Sequence, residues 1–195
     1  MKLNSRSVVA SVALGAIIVL LAACGGSDGD STTSGTPKGA AFDQAFIDAM
    51  VPHHQGAIEM AEAAKEAGLS QADLVKVADD ILATQQEEID QMKEWRADWF
   101  GSSTIDPNGA AALGLSESQM GMQHDADGLM SSGDVDTDFA QMMITHHQGA
   151  TTMAKLAADN AEHDELKELA KEIISAQERE IDVMRPHASG AMDHG

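Results

Sequence analysis

Cysteine is almost missing from this chain of 195 residues, which contains only Cys24 and no tyrosine at all. Beyond position 24 the chain therefore has no means of forming an internal disulfide, a zinc–thiolate site, a cysteine nucleophile or a c-type haem attachment. A domain without thiols is suited to an extracytoplasmic, oxidising setting, because it has nothing to misoxidise.

Aromatic residues are also scarce, at 3% of the chain. No stretch alternates β-branched with polar residues, so the signals that predict strands are nearly absent. The abundant residues are helix formers such as alanine, glutamate, methionine and leucine. The composition predicts an all-α fold, and so few aromatic side chains argue against a pocket for b-type haem.

Basic residues are outnumbered: 12 lysines and arginines face 32 aspartates and glutamates, for a formal net charge of -20. Such a surface repels nucleic acid and anionic lipid headgroups and attracts cations. We therefore expect no nucleic-acid partner. Solubility alone would explain an acidic surface equally well, so charge by itself does not establish a cation-binding role.

The first residues have the pattern of a lipoprotein leader. A short basic start is followed by an apolar run over residues 8–21, too short for a spanning helix. The run ends in Leu-Ala-Ala-Cys, which resembles a bacterial lipobox. We predict a signal peptide over residues 1–23, a lipidated Cys24 and a Gly/Ser/Thr-rich linker to residue 40. The protein would be extracytoplasmic and anchored to the cell membrane; an ordinary secretory signal or one anchor helix is the alternative.

An internal repeat dominates the rest of the chain. Residues 46–61 and 139–154 are nearly the same sequence at an offset of 93. Each copy carries Met-x-x-His-His-x5-Met, a set of side chains that can bind metal. The motif residues are Met50, His53, His54 and Met60 in the first copy and Met143, His146, His147 and Met153 in the second.

The repeat continues into a second helical segment at an offset of about 92. Its matching positions are Gln85, Glu88 and Met92 in the first half and Gln177, Glu180 and Met184 in the second. Each half is thus predicted to be a helical hairpin, with helices near 41–67 and 70–100, and near 137–158 and 162–184. Two such hairpins make a ferritin-like four-helix bundle over residues 41–186, joined by a short crossover helix over 116–130.

Helical geometry places the repeated polar residues on the inner faces of the bundle. At about 100° per residue, the two histidines and two methionines of each motif lie within an arc of about 120°. Buried polar groups must find partners. We expect Glu88 and Glu180 either to orient a histidine by accepting its ring N–H or to bind metal directly, with Gln85, Met92, Gln177 and Met184 as supporting groups or further ligands.

The ligand types favour copper. Di-iron proteins of the ferritin-like class use Glu-x-x-His, whereas this chain has Met50-x-x-His53 and Met143-x-x-His146. A thioether is a soft ligand that suits Cu(I), while carboxylates suit iron and manganese. Iron is therefore disfavoured, and the oxidation state of copper is left open. The alternative is that methionines only fill the core and the histidines serve structural polar networks.

Two further clusters contain methionine and histidine. Met120, Met122 and His124 lie in the crossover and form a candidate uptake site for metal. Residues 187–195 form a His/Met-containing tail, which is either a weaker metal-binding tract or a disordered terminus.

Together these motifs resemble the DUF305 family. The resemblance rests on Met-x-x-His-His-Gln-Gly-Ala-x-x-Met-Ala, present twice, followed by Gln-x-x-Glu-Ile-x-x-Met, and it covers residues 42–184. It implies an exported protein with a ferritin-like four-helix bundle, and some relatives are linked to copper binding and resistance. One departure is Thr145, which stands where the first copy has Pro52, so the two motifs need not be geometrically equal.

Three functions remain in competition at this stage. The first is a lipoprotein that binds copper for sequestration or trafficking. The second is a structural or accessory envelope lipoprotein that binds a protein partner, whose identity the sequence does not give. The third, a redox metalloenzyme, is disfavoured because no catalytic residues or substrate pocket can be recognised, so we expect the protein not to be an enzyme.

Overall fold

A computed structural model describes residues 36–122 and 126–189 of the chain. The predicted signal peptide, Cys24 and most of the linker lie outside the described residues. So do His124 of the crossover cluster and residues 190–195 of the tail.

Four long helices form the body of the described chain, and no strand occurs among the described residues. They are α1 (Ala40–Ala67), α2 (Ala72–Phe100), α5 (Val135–Asn160) and α6 (Asp164–Met184), with two short helices, α3 (Gly109–Ala112) and α4 (Ala126–Met130), between α2 and α5. A 3₁₀ turn, His187–Ser189, follows α6. This confirms the predicted all-α bundle of two hairpins. Within the described ranges no helix is both long and apolar enough to cross a membrane.

The crossover differs from the prediction of one short helix over residues 116–130. The segment after α2 leads into α3, residues 116–121 form turns, and only Ala126–Met130 is helical on the far side. Gly121 has a φ of 67°, a left-handed conformation that suits glycine and interrupts a right-handed helix. The glycine at this position therefore explains why the segment does not form one continuous helix.

The start of α2 is capped from a distance. The spacing of Ser70 and Asp73 resembles a local capping box, but the Ser70 hydroxyl donates to Asp136 Oδ2 at 2.6 Å instead. Asp136 Oδ1 also accepts the backbone N–H of Ser70 at 2.8 Å and of Gln71 at 3.1 Å. The cap of α2 thus comes from the first turn of α5, in the other half of the repeat.

An equivalent contact occurs at the opposite end of the bundle, where an aspartate of the first repeat caps a helix of the second. Asp43, in the first turn of α1, accepts the backbone N–H groups of Glu162 and His163 at the start of α6, each at 3.0 Å. Its Oδ2 also accepts His163 Nδ1 at 2.6 Å. Asp43 and Asp136 are 93 residues apart, the offset of the repeat. These reciprocal caps join the two hairpins about a pseudo-twofold axis and place α1 antiparallel to α5.

The buried core is divided into two hydrophobic clusters, one toward each end of the bundle. Both contain residues from the two halves of the chain, so neither hairpin has a core of its own. A buried ion pair accompanies the first cluster: Arg96 Nε donates to Asp48 Oδ1 at 2.7 Å, and Nη2 donates to Oδ2 at 3.2 Å. Asp48 also accepts a hydrogen bond from the backbone N–H of Asp106, which connects the loop between α2 and α3 to α1.

Candidate metal centre

The four histidines of the two motifs form a row across the middle of the bundle. The rings of His53 and His146 lie with centroids 3.7 Å apart, at an interplanar angle of 34°. His54 and His147 are at the outer ends of the row. The ring centroids of His54 and His53 are 6.3 Å apart, and those of His147 and His146 are 6.4 Å apart. All four are at most 2% exposed. The structure therefore brings together the two motifs, which are 93 residues apart, in one continuous arrangement.

Each outer histidine is held by a glutamate from the second helix of its own hairpin. His54 Nε2 and Glu88 Oε2 are 2.7 Å apart, as are His147 Nε2 and Glu180 Oε2. The two carboxylates are 19% and 15% exposed, so they are largely shielded from water. An ionised carboxylate only accepts hydrogen bonds, so Nε2 is the donor in each pair, and in the neutral tautomer that donates from Nε2 the lone pair is on Nδ1. In His54 and His147, Nδ1 is buried with no hydrogen-bond partner among the described residues.

The inner histidine of the first motif is held by the crossover. His53 Nε2 lies 2.8 Å from the carbonyl oxygen of Met120. A carbonyl accepts only, so Nε2 is again the donor. This contact brings Met120 to the histidine row, although the sequence pattern placed it in a separate cluster.

Close backbone packing seats Met120 at this position. A Cβ built on Gly149 of α5 would lie 1.8 Å from the Met120 carbonyl oxygen, and one built on Gly121 would lie 2.3 Å from the Thr145 carbonyl oxygen. Gly56 is the equivalent of Gly149 in the first repeat. A Cβ at Gly56 would lie 3.5 Å from His146 Nε2, which is an ordinary van der Waals contact. The two repeats are thus packed differently around the same motif glycine.

The motif methionines are divided between the two core clusters, together with methionines of α2 and α6. Met50, Met92 and Met153 share the first cluster, and Met60, Met143 and Met184 share the second. All six are at most 3% exposed. Of these six thioethers, each cluster therefore contains two from one half and one from the other, and the first cluster also contains Met120 of the crossover. Gln85 and Gln177, each 3% exposed, also face inward, and their Oε1 atoms have no hydrogen-bond partner in the described part of the chain.

The donor set determines which metal the site could hold. The described residues contain no group of three or more histidine, cysteine, aspartate or glutamate side chains placed to share one ion. A site built around His54 or His147 would thus need thioethers or amide oxygens to complete it. Thioether sulfur with imidazole nitrogen suits a soft ion such as Cu(I).

Sequence reasoning missed several buried polar residues. Asp43, Asp48 and Arg96 are buried, although Glu88 and Glu180 were the only inward carboxylates expected. His187, assigned to the tail, is 4% exposed and its Nε2 lies 2.7 Å from Asp73 Oδ2. The repeat offset could have identified Asp43 and Asp136 as a pair. No sequence signal connects Met120 with His53 or Asp48 with Arg96.

The family of the chain follows from its sequence. The profile of DUF305, described as "Domain of unknown function (DUF305)", matches residues 27–96 and 43–188. This match covers most of the described chain and both copies of the motif. The chain belongs to the DUF305 family. Among curated proteins, none matches this sequence.

Solved structures resemble this DUF305 protein over most of its length. "CopM in the Cu(I)-bound form" is 34% identical, with a TM-score of 0.64 over 76% of this chain and 96% of that one. CopM has also been solved in Cu(II)-bound, silver-bound and apo forms.

Two further structures are DUF305 proteins by their descriptions. A fragment from Deinococcus radiodurans is 27% identical, with a TM-score of 0.62 over 79% of this chain and 99% of that one. A putative secreted protein from Streptomyces coelicolor is 26% identical, with a TM-score of 0.65 over 73% and 88%. The descriptions of these structures thus name a CopM solved with bound copper or silver and two DUF305 proteins, and none of them names an enzymatic activity.

Proposed function

We propose that this DUF305 protein binds copper as cargo, through the histidine row and its flanking methionines, and serves to sequester it or pass it on. The observation that carries the proposal is the pair of buried histidines, His54 and His147. Their Nδ1 atoms have no hydrogen-bond partner among the described residues, while their Nε2 atoms are held by glutamates. The 34% identity to a protein solved with Cu(I) supports it.

In this proposal each type of residue has a distinct part. Glu88 and Glu180 orient the rings and make them better donors, as carboxylates do behind metal-bound histidines. Nδ1 of the rings supplies imidazole donors, and the thioethers of Met50, Met60, Met143 and Met153 supply soft donors that favour Cu(I). Met92 and Met184 reach the same clusters from α2 and α6. Gln85 and Gln177 carry inward amide oxygens that can complete a site or hold a ligand in place.

We further propose an extracytoplasmic location with a lipid anchor on Cys24. The support is the basic, apolar and lipobox-like order of the first 24 residues. The likeness to a putative secreted protein of Streptomyces coelicolor agrees with export. A tethered, thiol-free copper binder would hold copper where oxidation of its own cysteines is not a hazard.

A structural role is the second candidate, because the same contacts also join the helices of each hairpin. The His54–Glu88 pair links α1 to α2, and the His147–Glu180 pair links α5 to α6. In that case the histidines would stabilise the bundle of an accessory lipoprotein whose function is to bind a protein partner.

Titration of the whole chain, purified in detergent, decides between these two functions. Cu(I) and Cu(II) would be titrated in competition with chelators, with a His54→Ala/His147→Ala variant in parallel and circular dichroism as the check on folding. The expected result is tight binding by the natural chain and loss of binding in a variant that is still helical. Equal binding by both proteins, or none by the natural chain beyond that of an acidic surface, would reject the proposed site.

A further inference from the structure

A surface cavity of about 280 Å³ lies where the crossover packs against α1. Pro52 of α1 and three crossover residues, Glu117, Met120 and Met122, are part of its lining. Met122 is 36% exposed and Met120 is 4% exposed, so the cavity is lined by one methionine at the surface and one that is buried.

Met120 connects this cavity with the histidine row. The residue lines the cavity, while its carbonyl oxygen accepts the hydrogen bond of His53 Nε2 at 2.8 Å. It also belongs to the hydrophobic cluster that contains Met50, Met92 and Met153. A single residue is therefore in contact with the outer cavity, the inner histidine and the thioether cluster.

The position of Met120 is set by the fold rather than by a loose loop. Two glycines, Gly121 of the crossover and Gly149 of α5, allow the backbones to approach more closely than any side chain would permit. Because of this close approach, the Met120 carbonyl packs against Gly149 in the second repeat and accepts a hydrogen bond from His53 in the first repeat. The cavity is consequently held in a fixed relation to the metal-binding histidines.

The side chains of the cavity suit a soft monovalent cation. Asp48 also lines it, but its carboxylate is engaged by Arg96 and by the backbone N–H of Asp106. The groups that remain are two thioethers and the exposed carboxylate of Glu117. Hard cations such as Mg²⁺ and Ca²⁺ require several oxygen ligands. Thioethers select Cu(I) or the similar ion Ag(I), and a single carboxylate adds charge attraction without making a hard site.

We propose that this cavity is the uptake site of the protein, in which Met122 captures Cu(I) from solution and Met120 passes it to the row at His53. This inference rests on the proposed copper binding and assigns it a route. Because Met122 acts only on the way in, its loss should slow uptake without changing the affinity of the inner site. Met120 belongs to both the cavity and the core, so its loss should slow the same step.

The test is the rate at which the whole chain removes Cu(I) from a chromophoric chelator in stopped-flow absorbance. The variants Met122→Leu and Met120→Leu remove the sulfur while nearly preserving volume. Met130→Leu is the matched control, because Met130 is 49% exposed on α4 and does not line the cavity. We expect Met122→Leu to lower the uptake rate about tenfold with an unchanged dissociation constant, and the control to retain the natural rate.

The outcomes separate this inference from the proposed function. A natural uptake rate in Met122→Leu, or an equal loss of rate in Met130→Leu, would overturn the uptake site and leave copper binding intact. A fall in equilibrium affinity that accounts for the whole change in rate would make Met122 a ligand of the final site and would also overturn the inference. If the natural chain takes no Cu(I) from the chelator at all, both proposals fail.

Discussion

The rings of His53 and His146 pack against each other at the centre of the bundle, with centroids 3.7 Å apart and their planes tilted by 34°, although they are contributed by different repeats. The crossover takes part in this contact as well, since His53 is held by the carbonyl of Met120. The two motifs are therefore physically joined. We therefore expect a substitution at either inner ring to affect the position of the other.

The carboxylate of Glu88 is expected to control metal affinity through His54. Glu88→Gln keeps the shape of the side chain and an oxygen that can accept the Nε2 hydrogen bond, but it removes the negative charge that strengthens this bond. We expect the affinity for copper to fall by about 10- to 100-fold, the usual effect of changing such a partner. Glu180→Gln should act alike through His147, because that pair has the same 2.7 Å separation.

Chelator competition on the purified chain measures this effect, with Glu87→Gln as the control. Glu87 is exposed at the neighbouring position of α2. Glu87→Gln therefore changes the charge of the chain as Glu88→Gln does, but at a residue that is not hydrogen-bonded to a histidine among the described residues. If the Glu87 and Glu88 variants lose the same affinity, general surface charge rather than histidine orientation is responsible.

The two motif glycines are expected to respond oppositely to alanine. Gly149→Ala would place Cβ 1.8 Å from the Met120 carbonyl oxygen, so the crossover must move away and the hydrogen bond to His53 is lost. We expect it to lower the free energy of unfolding by about 2–4 kcal/mol. Gly56→Ala would place Cβ at an ordinary contact distance of 3.5 Å from His146 Nε2. It should raise the free energy of unfolding by up to about 1 kcal/mol, because alanine has a higher helix propensity than glycine.

Urea denaturation of both variants, monitored by circular dichroism, gives the two free energies. The pair is well matched because both glycines follow His-His-Gln in their repeats. Equal stabilities would show that the crossover is not tightly seated against α5.

The sequence was sufficient to predict the bundle because the information for it is periodic. The repeat at offset 93 identified the hairpins, and the spacing of Met50, His53 and His54 identified the buried face. Contact between Glu88 and a histidine is one of the two roles that the sequence predicts for this carboxylate, because both residue types lie on inner faces of adjacent helices, but the sequence does not say that the histidine is His54. Helix periodicity and duplication thus account for the parts that were predicted correctly.

The parts that could not be predicted are contacts between segments without a shared pattern. Met120 reaches His53 because two glycines permit close backbone approach, and a glycine in a sequence does not reveal what it packs against. Ser70 has the spacing of a local cap, but Asp136 from the other repeat bonds to its hydroxyl and its N–H. Tertiary contacts of this kind override local signals because they satisfy the same backbone donors from a distance.

Asp136 is expected to make folding stability depend on acidity. Burial tends to raise the pKa of Asp136. Hydrogen bonds from the hydroxyl and N–H of Ser70 and from the N–H of Gln71 act in the opposite direction, as does the charge of His187. Together they outweigh burial, so the pKa is lowered. A lowered folded-state pKa stabilises the fold above the unfolded value, near 3.8, and this stabilisation is lost as the pH falls through the lower folded value. Asp136→Asn should thus be less stable than the natural chain at pH 6, and the difference should shrink below about pH 4.

Urea denaturation at several pH values tests this dependence, with Asp98→Asn as the control on an exposed position of α2. The control should differ little from the natural chain at any pH. A difference for Asp136→Asn that grows as the solution is acidified would have the wrong sign and would refute the argument.

The thioethers should determine which oxidation state of copper is preferred. Met50→Leu and Met143→Leu together remove one sulfur from each core cluster, and leucine nearly preserves the volume, so the cost in stability should stay below about 1.5 kcal/mol per site. Sulfur is a soft donor whereas imidazole accepts either state. We expect the affinity for Cu(I) to fall about tenfold or more while that for Cu(II) changes little, as measured by chelator competition under reducing and oxidising conditions. A parallel loss of both affinities would instead mean that the leucines have distorted the histidine row, and an unchanged Cu(I) affinity would assign the two methionines to the core alone.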